Sequence, residues 1–182
     1  MPALNFNHIA VLIIVAIAAV IDVRTTKIPN KLTFPAAGVG IISSGVLFGW
    51  NGALMAVAGW FVGVLVMMLA NPTRKMGFGD VKLMAAIGTF IWWKGVVLTF
   101  LYFAIIYGAV AIYKISFALP WVQVFRAVGT FGGDLDLAMK SVNMDQTNKT
   151  AKSPIALAPI ILIALTLAIF LEQPTLNFLG IK

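Results

Sequence analysis

Long apolar runs alternate with short polar loops along this chain. Six runs stand out, at about residues 4–21, 32–50, 54–70, 81–93, 96–113 and 155–171. A bilayer is crossed by about 20 residues of helix, so each run is predicted to be a membrane span, the fourth a short one. Ala16-Ile17-Ala18 has the look of a signal-peptidase site. No Lys or Arg precedes the first run, however, so it is read as a retained span. The second run carries Gly38, Gly40 and Gly45 and the third Gly59 and Gly63, which suits close helix packing in lipid. Trp50-Asn51-Gly52 and Lys94-Gly95 are predicted to be the tight turns between runs two and three and between runs four and five. Trp92 and Trp93 would then sit at an interface, where such rings collect. The fold class predicted is all-α: one polytopic membrane domain over residues 1–182, with six transmembrane helices and a cytoplasmic loop at 114–152.

Composition strengthens this picture. The chain is 61% hydrophobic and 10% charged, against roughly 25% charged in a soluble domain. Too little polar surface exists to cover a soluble globule. The net charge of +7 suggests nucleic acid at first sight, but the basic residues are scattered over the loops. The loops after runs one, three and five hold Arg24, Lys27, Lys31, Arg74, Lys75, Lys82, Lys114, Arg126, Lys140, Lys149 and Lys152. Only Lys94 and Lys182, of 13 Lys and Arg, fall on the other side. The positive-inside bias therefore places both termini outside the cytoplasm. With no cysteine, disulfides, zinc–thiolate sites and a Cys nucleophile are excluded. The single histidine, His8, cannot build a His-rich metal site, and no metal or other cofactor is expected.

The 114–152 segment is the one long non-spanning stretch. Ala118, Trp121, Val122, Phe125 and Val128 share one helical face in it. That pattern fits a helix lying in the membrane surface, or one docked on the protein itself. Trp121 and Phe125 are candidates for controlling substrate access.

The chemistry rests on carboxylates. Of six acidic residues, Asp22 and Asp80 alone sit where a span meets a loop on the predicted cytoplasmic face. Carboxylates in or beside membrane spans are costly and point to function. Each is also explicable as a helix cap. Two carboxylates at one depth can share a proton: the ionised one takes a proton from water while the protonated one donates to a peptide carbonyl. Gly77 and Gly79, lacking Cβ atoms, permit unusual backbone angles and close approach of a substrate strand.

The pattern Asp22, five residues, Ile28-Pro29-Asn30, and later Gly77-Phe78-Gly79-Asp80-Val81-Lys82, resembles the type IV prepilin peptidases. These are intramembrane aspartyl proteases. The resemblance implies that Asp22 and Asp80 are the catalytic pair. It implies flanking support from Ile28, Pro29, Asn30, Gly77, Phe78, Gly79 and Lys82. Ala158-Pro159 is similar to a proline-containing patch on the family's last span. Long members carry paired Cys-x-x-Cys motifs in an N-terminal region, associated with N-methylation of the processed pilin. This chain starts at its first span without cysteine and resembles the short form found with tight-adherence (Flp) pili. The substrate implied is a prepilin or pseudopilin, cut after its short basic leader at the cytoplasmic face of the bacterial inner membrane. Prepilin and lipid bilayer are the partners implied, and nucleic acid is not one.

Two other readings compete. Presenilin-like proteases share Gly-x-Gly-Asp, but they pair it with Tyr-Asp and Pro-Ala-Leu; here Ile21 precedes Asp22, and Pro-Ala-Leu occurs only at residues 2–4, ahead of both aspartates. The non-enzymatic alternative is a membrane transporter or pilus-assembly scaffold whose aspartates bind protons or cap helices. Transporters tend to show internal repeats and mid-membrane polar groups. No repeat is visible, and both aspartates lie at span ends.

Overall fold

Every element in the computed structural model, which describes residues 5–70, 77–118 and 156–178, is helical. Helix α1 is Phe6–Thr25, α2 is Asn30–Leu69, α3 is Phe78–Ala118 and α4 is Ala158–Phe178. The chain divides into two compact units, one of Met1–Ile106 with Ala156–Lys182 and one of Tyr107–Ile155. In the second, the described residues form the end of α3. Trp121 and Phe125 lie outside the described residues, as do residues 71–76 of the second basic loop.

Helices α1, α2 and α3 are each long and apolar enough to cross a membrane. Large apolar side chains such as Ile13, Ile42, Phe61, Leu65 and Ile163 point outward. In water such a surface would be a liability; in a bilayer it faces lipid chains of equal polarity. The protein is a multi-pass membrane protein.

A straight helix of 40 residues, the length of α2, would measure about 60 Å, twice the hydrocarbon thickness. It is not straight. Gly49, at φ 67° and ψ −161°, breaks α2, and Trp92, at φ 60° and ψ −175°, breaks α3. At each break the chain doubles back. A Cβ on Gly45 would lie 3.5 Å from the Ala53 Cβ, and one on Gly88 would lie 2.9 Å from Val96 Cγ2. Eight residues of straight helix would hold such pairs about 12 Å apart. The turns predicted at Trp50-Asn51-Gly52 and Lys94-Gly95 are therefore misplaced. Gly52 and Gly95 pack helices rather than turn them, since a Cβ at either would collide with Ser44 and Phe48 or with Ile91. Trp92 is the turn itself.

The core surrounds the first half of α3, where every residue from Leu83 to Phe90 is buried. Both halves of α2 close on it through glycines. Gly40 abuts Thr89 and Phe90. Gly59 meets Gly88 backbone to backbone, and Gly63 lies against Met84 and Ala85. Small residues let helix axes approach where lipid offers no hydrophobic drive. Helix α1 packs on α4 and α2. Helix α4 starts at Ala158 and runs to Phe178, past the predicted span end at residue 171.

Candidate active site

Asp22 belongs to the last turn of α1, not to the loop beyond it. Helix α1 ends at Thr25, and Thr26 adopts the left-handed conformation (φ 51°) with its N–H on the Asp22 carbonyl at 2.7 Å. The Thr25 hydroxyl reinforces the turn, 2.8 Å from the Ile21 carbonyl and 3.0 Å from that of Lys27. Asp22 is buried, 5% exposed, and its Oδ2 accepts the N–H of Ala158 at 3.0 Å. Ala158 is the first residue of α4, where free N–H groups and the helix dipole favour a carboxylate. Pro159 follows in the same turn; it has no N–H, and its fixed φ suits a helix start. Asp22 thus ties the end of α1 to the start of α4, 136 positions away.

Asp80 stands in the first turn of α3, inside the helix rather than at its cap. Its N–H bonds the Gly77 carbonyl at 3.1 Å. A Cβ on Gly77 would lie 3.3 Å from Asp80 Oδ2, so the carboxylate folds back over that glycine. Asp80 is 8% exposed. Gly79 is the point of closest approach to the α1–α2 connection: a Cβ there would stand 3.0 Å from Ile28 Cβ and 3.3 Å from the Ile28 carbonyl oxygen. Ile28 is buried. Pro29 takes the position before α2, and Asn30 is its first helical residue. The Asn30 Oδ1 accepts from Lys82 Nζ at 2.9 Å, and that ammonium lies 5.3 Å from the centre of the Phe34 ring. Two segments of sequence, 52 positions apart at Lys82 and Asn30, are thus joined residue by residue, Gly79 to Ile28 and Lys82 to Asn30 and Phe34.

Asp22, Thr26, Lys27, Ile28, Gly77, Phe78, Gly79 and Asp80 line one cavity of about 260 Å³. Liquid water occupies about 30 Å³ per molecule, so the cavity has room for water beside part of a peptide. Both carboxylates share it. A wider, shallower groove of about 580 Å³, along Ile21, Thr25, Pro29 and Asn30, shares Lys27 and Ile28 with it. Among the described residues no group of three or more His, Cys, Asp and Glu stands together to hold a metal ion.

Residues 9–113, more than half of the 182, match the model of the type IV leader peptidase family. The chain belongs to that family. The match contains both aspartates and every flanking residue of the two motifs, and it ends before α4. The prepilin leader peptidase/N-methyltransferase of Pectobacterium carotovorum subsp. carotovorum is 30% identical over 89 residues, covering 43% of this chain and 30% of that relative. The chain thus spans less than a third of the curated relative it matches. No solved structure matches it.

In this family member the structure brings Asp22, Ile28, Gly77, Phe78, Gly79 and Asp80 to one cavity, with Lys82, Asn30 and Pro29 around the same junction and Pro159 beside the Ala158 N–H. The sequence reading missed Phe34 and the two threonines that end α1. Phe34 had a signal: it lies four residues beyond Asn30, on the same helical face.

Proposed function

We propose that this chain is an intramembrane aspartyl endopeptidase that removes the short basic leader from prepilins and pseudopilins of the Flp type. One observation carries the reading: Asp22 and Asp80, from motifs far apart in sequence, are buried in the wall of a single cavity. The family match to a type IV leader peptidase supports it. In this scheme the pair holds one proton, because two ionised carboxylates beside one small cavity repel each other. The ionised aspartate takes a proton from water, and the resulting hydroxide attacks the scissile carbonyl carbon. The protonated aspartate gives its proton to the carbonyl oxygen. The tetrahedral species then collapses: the C–N bond breaks, the amine leaves with the proton the first aspartate had taken, and a hydroxyl proton returns to the second aspartate as the carbonyl re-forms. The Ala158 N–H holds Asp22 in place, and the open groove beside Lys27 and Ile28 offers the approach for an extended substrate.

The folded-back α2 and α3 fit six crossings, and the distribution of basic residues supports a reading in which this end of the bundle lies at the cytoplasmic face of the bacterial inner membrane. A pilin's leader and helix boundary lie at that same depth. The residue before the cut would be a glycine, as the family resemblance implies.

The test is cleavage of a purified Flp-type prepilin by the purified chain in detergent or nanodiscs, read by mass spectrometry. A single cut at the start of the pilin's hydrophobic helix is expected. EDTA should leave it intact, and a peptide mimic with a hydroxyl in place of the scissile carbonyl should block it. No cleavage of prepilin by well-folded protein, or EDTA inhibition reversed by a divalent metal, would overturn the reading.

A further inference from the structure

A second cavity, of about 190 Å³, lies near the other end of α1, lined by Asn7, His8, Phe48, Phe90, Trp92 and Glu172 among others. Asn7 and Asp22 are separated by about 22 Å of helix at 1.5 Å per residue, so this cavity faces the membrane surface opposite the aspartates. Trp93, exposed and with Lys94 Nζ 5.7 Å from its ring centre, marks that surface.

Two buried polar atoms belonging to cavity residues have no partner: Asn7 Oδ1 and Trp92 Nε1. Asn7 is only 2% exposed. Its amide orientation is fixed, because its nitrogen donates to Ser44 Oγ at 3.1 Å and to the Phe90 carbonyl at 3.5 Å. Ser44 Oγ in turn donates to the Thr89 carbonyl at 2.9 Å. Oδ1 is therefore a buried acceptor without a partner. Buried groups of this kind are rare, and each calls for a cause.

The backbone adds a second, independent observation. Trp92 takes nearly the conformation of Gly49, φ 60° against 67°. Glycine adopts it freely, whereas a residue with a Cβ is strained there. The turn alone would be made more easily by glycine. What tryptophan adds is its indole, which forms one wall of the cavity and packs edge-to-face on Phe48 at 5.1 Å.

The chemistry of the lining selects a ligand. The Glu172 carboxylate accepts hydrogen bonds, and Phe48, Phe90 and Trp92 offer aromatic rings. This combination suits an ammonium that still carries N–H groups. His8 Nε2 donates, since His8 Nδ1 already accepts the Asn5 N–H at 3.4 Å. That donor suits an anionic oxygen a short distance from the ammonium. We propose that the cavity binds the ethanolamine-phosphate headgroup of a bilayer lipid at the membrane surface opposite Asp22 and Asp80.

The experiment is native mass spectrometry of the full chain, purified in detergent and offered phosphatidylethanolamine, phosphatidylcholine or phosphatidylglycerol with the same acyl chains. Wild-type protein should retain the ethanolamine lipid about tenfold more strongly than either other lipid, the difference of one charge-assisted hydrogen-bond set. Glu172→Gln should erase most of that preference. Trp92→Gly should erase it too while raising Tm, because the turn is relieved as the wall is lost. Circular dichroism checks that each variant is folded. Free phosphoethanolamine at millimolar concentration should not displace the lipid. Equal retention of the three lipids by wild-type protein, an undiminished preference in folded Glu172→Gln, or displacement by the soluble headgroup would overturn the assignment.

Discussion

Near one end of α1, Asp22 takes the first N–H of α4, and Gly79 lets α3 close on Ile28 until backbone touches backbone. Near the other end, Asn7 spends its two N–H donors on Ser44 and Phe90 and leaves its oxygen without a partner. Both ends bury polar side chains in a bundle whose exterior is apolar. They differ in what fixes them. The aspartate end is held by contacts between four elements, each anchoring a backbone atom. The opposite end hangs on one hydrogen-bond chain and on a strained tryptophan. The difference teaches that burial of a polar group in lipid is not one phenomenon. The Asp22 carboxylate is tied to a second helix by a hydrogen bond, while Asn7 Oδ1 and Trp92 Nε1 are buried without a partner.

The largest effect expected from breaking the comparison is at the aspartates. Asp22→Asn keeps an oxygen to accept the Ala158 N–H, and Asp80→Asn keeps the side-chain volume, so both should fold. Each should lose prepilin cleavage by a factor of about 10³ or more, since general acid–base chemistry needs an ionisable carboxyl at both places. Cleavage assays on the folded variants check this. Orientation is similarly all-or-none. In this cysteine-free chain, Asn51→Cys should react with a membrane-impermeant maleimide from outside intact cells, and Lys31→Cys should not.

Next in size is the junction. Gly79→Val should lower stability by about 1–3 kcal/mol, because Ile28 cannot retreat from a branched side chain. It should also cut kcat by about 100-fold, through displacement of Asp80. A melting curve and a kcat measurement separate the two. A smaller change is expected for Lys82→Met with Asn30→Ala. Their double-mutant cycle should show a coupling of about 1 kcal/mol, with kcat/KM changed only a few-fold. The smallest effect should come from the other end: Glu172→Gln should leave kcat/KM within about twofold, because it faces a cavity that holds neither aspartate.

Much of the aspartate end was legible in the chain. Spacing of apolar residues gave an all-helical fold with helices long enough to cross a membrane, and the two motifs named residues that prove to touch. What stayed hidden was non-local or ambiguous. Nothing in the composition around Asp22 marks Ala158 as its partner, since 136 positions separate them. Gly52 and Gly95 looked like turns because glycine punctuates helices. In lipid it serves equally to bring helices together, and here it does. Trp92 as a turn contradicts every local preference, so only tertiary structure reveals it. Asn7, within the first apolar run, gave no sign that it would be among the most buried residues of the chain.

The central claim is that Asp22 and Asp80 act as a pair sharing one proton. The pH dependence of kcat/KM for prepilin cleavage tests it most directly. The account predicts a bell with one limb on each side. On the acid limb both carboxyls are protonated and the base is lost; on the alkaline limb both are ionised and the acid is lost. The optimum should lie above the ordinary aspartate value of about 4. A profile with a single limb, rising to a plateau that persists while the protein stays folded, would contradict it and reduce the second aspartate to a structural part.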